Sequence, residues 1–397
     1  MEQGHLIPTY ARQPVAFSHG EGCWLWDTAG RRYLDALGGI AVNTLGHAHP
    51  ALTAALTAQA GRVIHLSNLY RIPEQEALAD KLCAAAGMDA VFFGNSGAEA
   101  NEAAIKLARL HGHHKGIDLP AIVVMDGAFH GRTLASLAAT ANPKAKQGFE
   151  PMPDGFVRVP FNDVGAVRQL AERTDIAAIL VEPIQGEGGV RVPDPGYLRQ
   201  LAEICDRQDW LMMVDEVQSG IGRTGRWFAH QHDDIRPDVM SLAKGLGGGV
   251  PIGACVVAGR ARSLFGPGSH GSTFGGNPLS SAAGLAVMDS IEADGLLHNA
   301  AARGAQLIDG LRTALAGCEG VADIRGAGLM LGIELDRPCG ELVHAAREAG
   351  LLINVAAERT IRLLPPLVLS DAEAADLMDR LVPLIQDFLN KPSKPGS

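Results

Sequence analysis

The sequence lacks three features that would indicate a nucleic-acid, membrane or metal-cage protein. Its 34 Lys and Arg residues are outnumbered by 44 Asp and Glu residues, so the net charge is −10, and no basic block is present. A net negative chain binds nucleic acids and anionic membranes poorly. The six cysteines are scattered and include no C-x-x-C pair, which indicates reduced thiols rather than metal ligands. No apolar run approaches the roughly 20 residues that span a bilayer.

The start of the chain also lacks a basic segment followed by an apolar one, which is the pattern of a secretory leader. We therefore expect a cytoplasmic protein. The remaining composition is that of a folded chain, with 47% apolar and 20% charged residues. At roughly 150 residues per domain, the 397 residues predict two or three domains with a large core.

Continuous apolar runs in the middle of the chain predict strands that are buried on both faces. They stop abruptly at polar residues and cover residues 121–125, 176–181, 210–214, 239–243 and 252–258. Helical stretches such as residues 195–208 separate several of them, which is typical of an α/β fold with a mostly parallel sheet. Ligands bind outside the carboxyl ends of such strands, where Glu182, Asp215 and Lys244 follow.

The pattern divides the chain into a large and a small domain. Residues 46–284 contain the predicted sheet and form the large domain. After residue 285 the sequence predicts a long Ala- and Leu-rich helix, short strands, and a closing helix over residues 371–389. Residues 1–45 include a predicted hairpin that turns at residues 28–30. We expect residues 1–45 and 285–397 to form a smaller α+β domain together.

Lys244 is the strongest candidate for a reactive residue. It ends a buried apolar run and is followed by five residues of which four are glycine. An ammonium group in that place is costly to desolvate unless its pKa falls or the amine is used covalently. The alternative is a lysine that extends to the surface. The glycines favour the first interpretation, because they leave room for a ligand, and a desolvated lysine can form a Schiff base with a carbonyl.

Two carboxylates and a helix start complete the candidate chemistry. Asp215 and Glu216 are neighbours on a strand, so they point to opposite faces and cannot act as a pair. One of them could hold a ring nitrogen protonated, and the other could be structural. Ser96 precedes an Ala-rich helical stretch and Glu99 can close a capping box. Gly97 leaves that helix terminus open as a phosphate site, and an ordinary helix cap is an equal alternative.

Two further motifs match known patterns but not their context. Residues 220–225 (GIGRTG) match the dinucleotide fingerprint G-x-G-x-x-G, yet the following residues do not predict the helix that this fingerprint needs. The histidines of residues 111–114 predict a solvated helix end, since no carboxylates accompany them as metal ligands. We therefore assign no metal site.

Taken together, the motifs resemble those of one enzyme family. They are residues 43–47 (NTLGH), 95–100 (NSGAEA), 129–133 (FHGRT), 181–189 (VEPIQGEGG), 214–218 (VDEVQ), 243–244 (AK) and 271–278 (GSTFGGNP). In this order and over nearly the whole chain, they resemble the class III, or ornithine-type, pyridoxal-phosphate aminotransferases, and within them the acetylornithine aminotransferases. The resemblance implies a type I pyridoxal-phosphate transferase fold and pyridoxal 5'-phosphate as cofactor.

The resemblance also implies how the cofactor is held. Lys244 would form a Schiff base with it and later move the proton between the substrate carbon and the cofactor. The other implied contacts are Asp215 with the pyridinium nitrogen, Gln218 with the phenolic oxygen, Phe129 with the ring face, and Ser96, Gly97 and Ala98 with the phosphate. Thr273 would reach the phosphate from the other subunit, which implies a homodimer with a shared active site.

The same resemblance implies how the substrates are held. Arg132 would bind the distal carboxylate of the substrate, and Arg362 the α-carboxylate of glutamate or 2-oxoglutarate. Glu187 would act as a switch that neutralises Arg362 while the amino donor binds and swings away for the dicarboxylate. Ser272 is predicted to contact the substrate as well. Ile40 stands where ornithine aminotransferases of higher organisms place a tyrosine, and an apolar residue there suits an acylated donor.

These observations predict transfer of the δ-amino group of N2-acetylornithine to 2-oxoglutarate in arginine biosynthesis. The products would be N-acetylglutamate 5-semialdehyde and glutamate. Close alternatives are aminotransferases that use succinylornithine, succinyl-diaminopimelate or free ornithine. A nicotinamide-dependent oxidoreductase built on residues 220–225 is a remote alternative. A non-catalytic cofactor-binding protein is another, and nothing in the sequence supports it.

Overall fold

The computed structural model describes residues 5–391 of the chain. Residues 1–4, where the expectation about a leader begins, and residues 392–397 lie outside this range. Within it, the strands in chain order are β1 (Phe17–Glu21), β2 (Trp24–Asp27), β3 (Arg32–Asp35), β4 (Ala90–Gly94), β5 (Ala121–Met125), β6 (Phe156–Val159), β7 (Ile176–Val181), β8 (Leu211–Asp215), β9 (Val239–Leu242), β10 (Gly253–Val257), β11 (Val321–Ala327), β12 (Met330–Leu335), β13 (Leu351–Leu352), β14 (Asn354–Ala356) and β15 (Thr360–Leu363).

Helices of very different lengths connect these strands. The α-helices are α1 (Gly38–Ala41), α2 (Pro50–Ala60), α3 (Pro73–Ala86), α4 (Gly97–His114), α5 (Leu134–Ala139), α6 (Pro143–Lys146), α7 (Val164–Gln169), α8 (Tyr197–Gln208), α9 (Pro278–Ala293), α10 (Leu296–Ala314), α11 (Glu341–Glu348) and α12 (Asp371–Asn390). Short 3₁₀ turns cover Leu170–Glu172, Ala229–His232, Lys244–Gly247 and Gly259–Ala261. Among residues 5–391, no helix is long and apolar enough to cross a membrane.

A seven-stranded sheet forms the centre of the molecule. Its strand order is β4-β10-β9-β8-β7-β5-β6, and the strands from β9 to β6 run parallel to one another. Strand β10 is antiparallel to both of its neighbours, β4 and β9. Every residue of β5, β7, β8 and β9 is buried, as strands covered on both faces require. The predicted α/β fold with a mostly parallel sheet is confirmed.

Two smaller sheets stand apart from the central one. The first joins the predicted N-terminal hairpin, β2 with β3, to β1 and to the short strand β13, which lies far along the sequence. The second is antiparallel in the order β11-β12-β15-β14. The pairing of β3 with β13 ties the start of the chain to its C-terminal part. The boundaries of the two predicted domains remain a prediction.

The long Ala- and Leu-rich helix expected after residue 285 is instead two helices, α9 and α10. The break lies at Gly295, whose φ of 62° is left-handed. Glycine adopts that conformation without strain, so it lets the chain change direction between two segments that both have helical composition. The closing helix is found as expected, and it begins with a capping box between Ser370 and Glu373.

Candidate functional site

The cavity that most of the predicted site residues line, which we call the main cavity, opens at the carboxyl ends of the parallel strands. It has a volume of about 450 Å³ and is lined by residues that directly follow β7, β8 and β9. Glu182 follows β7, Asp215 ends β8, and Lys244 stands two residues beyond β9. Because these three strands are neighbours in the sheet, their ends bring all three side chains to the same cavity.

Lys244 is held in an unusual backbone conformation. Its φ is 43°, which is left-handed and rare for a residue with a side chain. The following residue, Gly245, accepts a hydrogen bond of 3.1 Å on its carbonyl oxygen from Thr44 Oγ1. A Cβ at Gly245 would lie only 2.5 Å from that hydroxyl, so only glycine fits there. Thr44 therefore helps to fix the backbone that directly follows Lys244.

The amine of Lys244 is poised for reaction near neutral pH. Burial lowers the pKa of Lys244 to about 8, although the negative charge of Glu187 opposes this shift. A fraction of the amine is therefore unprotonated at pH 7, which a nucleophile or a base requires. The prediction of a desolvated lysine among glycines agrees with this geometry.

Asp215 and Glu216 point in opposite directions, as their positions on a strand predict. Asp215 Oδ2 accepts a hydrogen bond of 2.7 Å from Asn101 Nδ2 and lies 2.8 Å from His130 Nδ1. Glu216 instead accepts from the backbone N–H groups of Ala229 and His230, at 3.0 and 2.7 Å. Asp215 therefore faces the cavity, and Glu216 holds a loop on the other side of the strand.

The N-terminus of α4 lies at the wall of the cavity. Ser96 Oγ accepts a hydrogen bond of 3.2 Å from Glu99 N, so Ser96 caps the helix as predicted. The expected capping box is wrong, because Glu99 Oε2 accepts from the backbone N and from Nδ2 of Asn95, both at 2.8 Å, and not from Ser96. Gly97 borders the cavity, but the space that a side chain would need is filled, since a Cβ there would lie 2.7 Å from Val217. Glycine is required here by close packing.

Glu187 and Arg362 meet although they are 175 residues apart in the sequence. Arg362 Nη1 donates to Glu187 Oε1 at 2.6 Å and to Gln218 Oε1 at 3.2 Å, while Nε donates to Asn354 Oδ1 at 3.1 Å. Arg362 is fully buried. Burial alone would raise the pKa of Glu187, but the Arg362 guanidinium lowers it below its usual value. The two predicted switch residues are thus an ion pair in this structure.

Arg132 and Phe129 lie at the mouth of the cavity. The Arg132 guanidinium is 5.8 Å from the centre of the Phe129 ring and is exposed. Both residues line the cavity together with Ser96, Gly97, Ala98, Glu187, Asp215, Gln218 and Lys244. The structure therefore brings most of the predicted site residues together. Their individual roles stay predictions.

Ser272 and Thr273 line a different cleft of the same chain, next to Phe274. Asn95 borders both cavities, and its Nδ2 donates to Ser272 Oγ at 3.2 Å. Thr273 is exposed. Ile40, which supports the acyl preference, is partly exposed with a φ of 65°, and Val42 rather than Ile40 lines the main cavity.

Asn101, His130 and Glu182 are buried polar residues of the cavity to which the sequence assigned no role. Asn101 Oδ1 and His130 Nε2 are buried and have no hydrogen-bond partner within residues 5–391. Glu182 accepts from Phe129 N at 3.0 Å and from Gly186 N at 3.3 Å. Burial raises the pKa of Glu182 to about 7, against the opposing effect of His130. His130 and Glu182 stand inside quoted motifs, whereas no sequence signal marks Asn101.

The two misleading motifs have structural explanations. Residues 220–225 are followed by turns and a short 3₁₀ segment, as predicted, and Arg223 is buried with Nη1 donating to Leu329 O at 3.1 Å and to Pro365 O. The expectation of a solvated histidine cluster is wrong for His111. That residue is buried at the end of α4, and its Nε2 lies 2.8 Å from Asp209 O.

Comparison with known proteins agrees with this geometry. The sequence model of the family described as aminotransferase class-III matches residues 8–385. Acetylornithine aminotransferase 1 of Bordetella bronchiseptica is 60% identical over 385 residues, which are 97% of this chain and 98% of that protein.

Two solved structures are also similar over nearly the full length. Ornithine aminotransferase from Toxoplasma gondii, in a structure with partial occupancy of PLP at its active site, has a TM-score of 0.94 and 35% identity, covering 98% of this chain and 93% of that one. Acetylornithine aminotransferase from Elizabethkingia anophelis has a TM-score of 0.88 and 35% identity, covering 97% of each chain.

Proposed function

The chain belongs to the class-III aminotransferase family, and we propose that it transfers the δ-amino group of N2-acetylornithine to 2-oxoglutarate. The products are N-acetylglutamate 5-semialdehyde and glutamate, as a step of arginine biosynthesis in the cytoplasm. The observation that carries this proposal is the ion pair between the buried Arg362 and Glu187, which lines the same cavity as Lys244. An arginine whose charge can be masked suits an enzyme that alternates between two unlike substrates.

The donor set of the cavity fits pyridoxal 5'-phosphate. The cavity offers an amine for an aldehyde, an 18-residue helix with its N-terminus toward a phosphate, and a buried carboxylate for a ring nitrogen. When bound, this cofactor supplies the aldehyde that takes up the amino group and a pyridine ring that accepts electrons from the substrate. Lys244, Asp215, Ser96, Gly97 and Ala98 would hold it, with Gln218 and Phe129 against its ring.

Lys244 and Asp215, which form the floor of the cavity, control protons. Lys244 Nζ would move a proton between the reacting carbon of the substrate and the cofactor, because its lowered pKa keeps the amine partly neutral at pH 7. Hydrogen bonds from Asn101 and from the backbone N–H of Val217 hold the Asp215 carboxylate beneath the site. His130 Nδ1, 2.8 Å from the same carboxylate, fixes its orientation.

Glu187 and Arg362, which form the rim of the cavity, select the substrates together with Arg132. Glu187 neutralises Arg362 while the acylated donor binds, since the donor presents its amino group and no second carboxylate at that place. When Glu187 turns away, Arg362 is free to bind the α-carboxylate of 2-oxoglutarate or glutamate in a fork. Arg132 at the mouth binds the distal carboxylate, and its exposure leaves it free to do so.

A homodimer with a shared active site is part of the proposal. Thr273 is exposed beside an apolar surface whose members are Ile64 (56% exposed), Leu69 (87%), Tyr70 (67%) and Phe274 (60%). Asn68 connects these segments, because its Nδ2 donates to Ser272 O at 3.2 Å and to Gly275 O at 3.0 Å. An exposed apolar patch of this kind suits a second copy of the chain. Thr273 would then reach the phosphate in the partner's site.

Mixed dimers test the shared site. Lys244→Ala and Thr273→Asp chains, each inactive in its own dimers, should regain activity when they are unfolded together and refolded, because one site of each mixed dimer keeps both intact residues. Absence of any recovery, with dimers shown by sedimentation, would contradict sharing.

The substrate assignment is tested by comparing kcat/KM for N2-acetylornithine, N2-succinylornithine and ornithine, each with 2-oxoglutarate. We expect the acetylated donor to exceed free ornithine by at least about tenfold, which is within what an apolar pocket can discriminate. Equal or faster turnover of ornithine would overturn the assignment. A preference for the succinylated donor would keep the reaction and change the acyl group.

A further inference from the structure

The loop that carries Glu187 is a short hairpin, residues 185–191, which we call the switch hairpin. Gln185 and Arg191 exchange two backbone hydrogen bonds of 3.0 Å at its open end. Gly186 O accepts from the N–H groups of Gly189 and Val190, at 3.2 and 3.4 Å. Glu187 therefore projects from a closed turn with its own hydrogen bonds, and not from an extended loop.

The switch hairpin contains a strained residue. Val190 has a φ of 51°, and a β-branched side chain in the left-handed region is a genuine outlier. Val190 is fully buried and cannot relax toward solvent. Such a conformation costs free energy and persists only where the surrounding structure fixes it, often at a switch or an active site. Some other part of the protein must hold this turn.

Arg325 of β11 holds this turn through two hydrogen bonds to the carbonyl groups of Gly189 and Val190, which we call the clamp. Its Nε donates to Val190 O at 2.8 Å, and its Nη2 donates to Gly189 O at 2.6 Å. Its Nη1 pairs with Glu334 Oε2 at 2.7 Å and with Asp323 Oδ2 at 2.9 Å. The three guanidinium nitrogens thus bind the strained turn on one side and two carboxylates on the other. Lysine has no such fork and could not make these contacts together.

One row of paired residues across the antiparallel sheet connects Arg325 to Arg362. Arg325 is paired in register with Gly332 of β12, and Gly332 is paired with Arg362 of β15. A Cβ at Gly332 would lie 2.9 Å from Val190 Cβ, so the turn rests directly on this row. The switch hairpin therefore packs on the antiparallel sheet at Gly332, and Arg362 is the residue paired with Gly332 in that sheet.

We propose that Arg325 is the positioning residue of the Glu187 switch. By holding the carbonyl groups of Gly189 and Val190, it keeps the hairpin backbone fixed, so that only the Glu187 side chain turns when Arg362 changes its partner. The inference rests on the proposed function, because it assigns the clamp to the amino-donor half of that reaction. Without the clamp, Glu187 neutralises Arg362 less well, and donor binding suffers, whereas Arg362 can still bind a dicarboxylate.

The chain offers matched control residues. Glu334 also pairs with Arg359 Nη2 at 2.7 Å and with Arg191 Nη2 at 3.5 Å, and both of these side chains are about half exposed. Arg359 touches the same carboxylate as Arg325 but makes no side-chain hydrogen bond to the hairpin within the described residues. Arg359→Gln therefore removes a charge partner of Glu334 without removing the clamp.

The experiment measures two properties of Arg325→Met, Arg325→Lys and Arg359→Gln. The first is amide hydrogen exchange of the peptide that contains residues 185–191. The second is the rate of each half-reaction, followed by absorbance: N2-acetylornithine is added alone to enzyme loaded with pyridoxal phosphate, and 2-oxoglutarate is added alone to enzyme loaded with pyridoxamine phosphate. For Arg325→Met we expect about tenfold faster exchange and about tenfold lower donor kcat/KM, since two buried carbonyls lose their donors, with less than about twofold change for 2-oxoglutarate.

The controls decide the interpretation. Arg325→Lys keeps the charge opposite Glu334 and should still behave like Arg325→Met, while Arg359→Gln should behave like the wild type. Equal losses in both half-reactions, or unchanged hairpin exchange in Arg325→Met, would overturn the proposal. If the wild type does not react with N2-acetylornithine, the proposed function fails, yet faster exchange in Arg325→Met alone would still support the clamp.

Discussion

The floor and the rim of the cavity are built in different ways. The floor consists of Lys244 and Asp215 at the ends of neighbouring parallel strands, and buried hydrogen bonds fix it. The rim consists of Glu187 on the switch hairpin and Arg362 on the antiparallel sheet, joined by one ion pair. In the proposed function, the floor keeps a single arrangement for proton transfer, whereas the ion pair of the rim opens when the substrate changes. Chemistry and substrate choice are thus placed on separate elements in this proposal.

The largest expected effect comes from removing the amine of the floor. Lys244→Ala should retain noncovalently bound pyridoxal phosphate but lose transamination by at least about a thousandfold, because both amine exchange and proton transfer need that group. Steady-state turnover and the absorption spectrum measure this. Lys146→Ala, which changes another partly buried lysine away from the cavity, should keep its activity. Substantial turnover by Lys244→Ala would contradict the role in transamination that is proposed for the Lys244 amine.

Asp215, at the floor, and its neighbour Glu216, on the other side of the strand, should respond differently to substitution. Asp215→Asn removes the charge beneath the cofactor and should lower kcat by about a hundredfold with little change in stability. Glu216→Gln should lower the melting temperature, because the buried acid holds the N–H groups of Ala229 and His230, but leave the cofactor spectrum unchanged. Similar kinetic losses in both variants would show that the strand does not separate them.

The rim predicts an asymmetric effect. Glu187→Gln leaves the buried Arg362 without a neutralising charge, so the donor half-reaction should slow about tenfold more than the 2-oxoglutarate half-reaction. Single-turnover absorbance measures both, with N2-acetylornithine added to the pyridoxal-phosphate enzyme and 2-oxoglutarate added to the pyridoxamine-phosphate enzyme. Glu203→Gln, on the exposed face of α8, is the control and should affect neither. Equal slowing of both half-reactions would argue against a switch.

The smallest expected effect is the influence of Glu187, at the rim, on the pKa of Lys244, at the floor. Capture of pyridoxal phosphate by the apoenzyme should accelerate as pH rises and level off above about pH 8, because Lys244 reacts only as the free amine. An ordinary lysine would continue to gain reactivity up to about pH 10. In Glu187→Gln the midpoint should move to lower pH, since Glu187 raises the pKa of Lys244. Stopped-flow absorbance gives the profile, and a midpoint near pH 10 would contradict it.

Sequence patterns predicted the floor well. The bounds of β5 and β7 agree with the apolar runs 121–125 and 176–181, because strands buried on both faces leave an unbroken apolar signal. Strand ends in a parallel sheet then place Asp215 and Lys244 together without further information. The two orientations of Asp215 and Glu216 follow from the alternation of a strand in the same way.

The rim could not be predicted from local patterns. Glu187 and Arg362 lie 175 residues apart, and only the family resemblance suggested that they meet. Arg325 carries no sequence signal, because its contacts to Gly189 and Val190 depend on how the hairpin packs on the antiparallel sheet. The capping-box error has the same origin, since Asn95 offers Glu99 two donors where Ser96 offers one.

The most direct test of the account is the visible absorption spectrum of the purified protein, before and after N2-acetylornithine is added without any oxo acid. The account predicts a yellow band from the lysine-bound cofactor that disappears with the donor and returns with 2-oxoglutarate. A colourless protein that cannot be reconstituted with pyridoxal phosphate would contradict the cofactor site proposed at Lys244 and Asp215. A band that the donor leaves unchanged would contradict the substrate assigned to the rim.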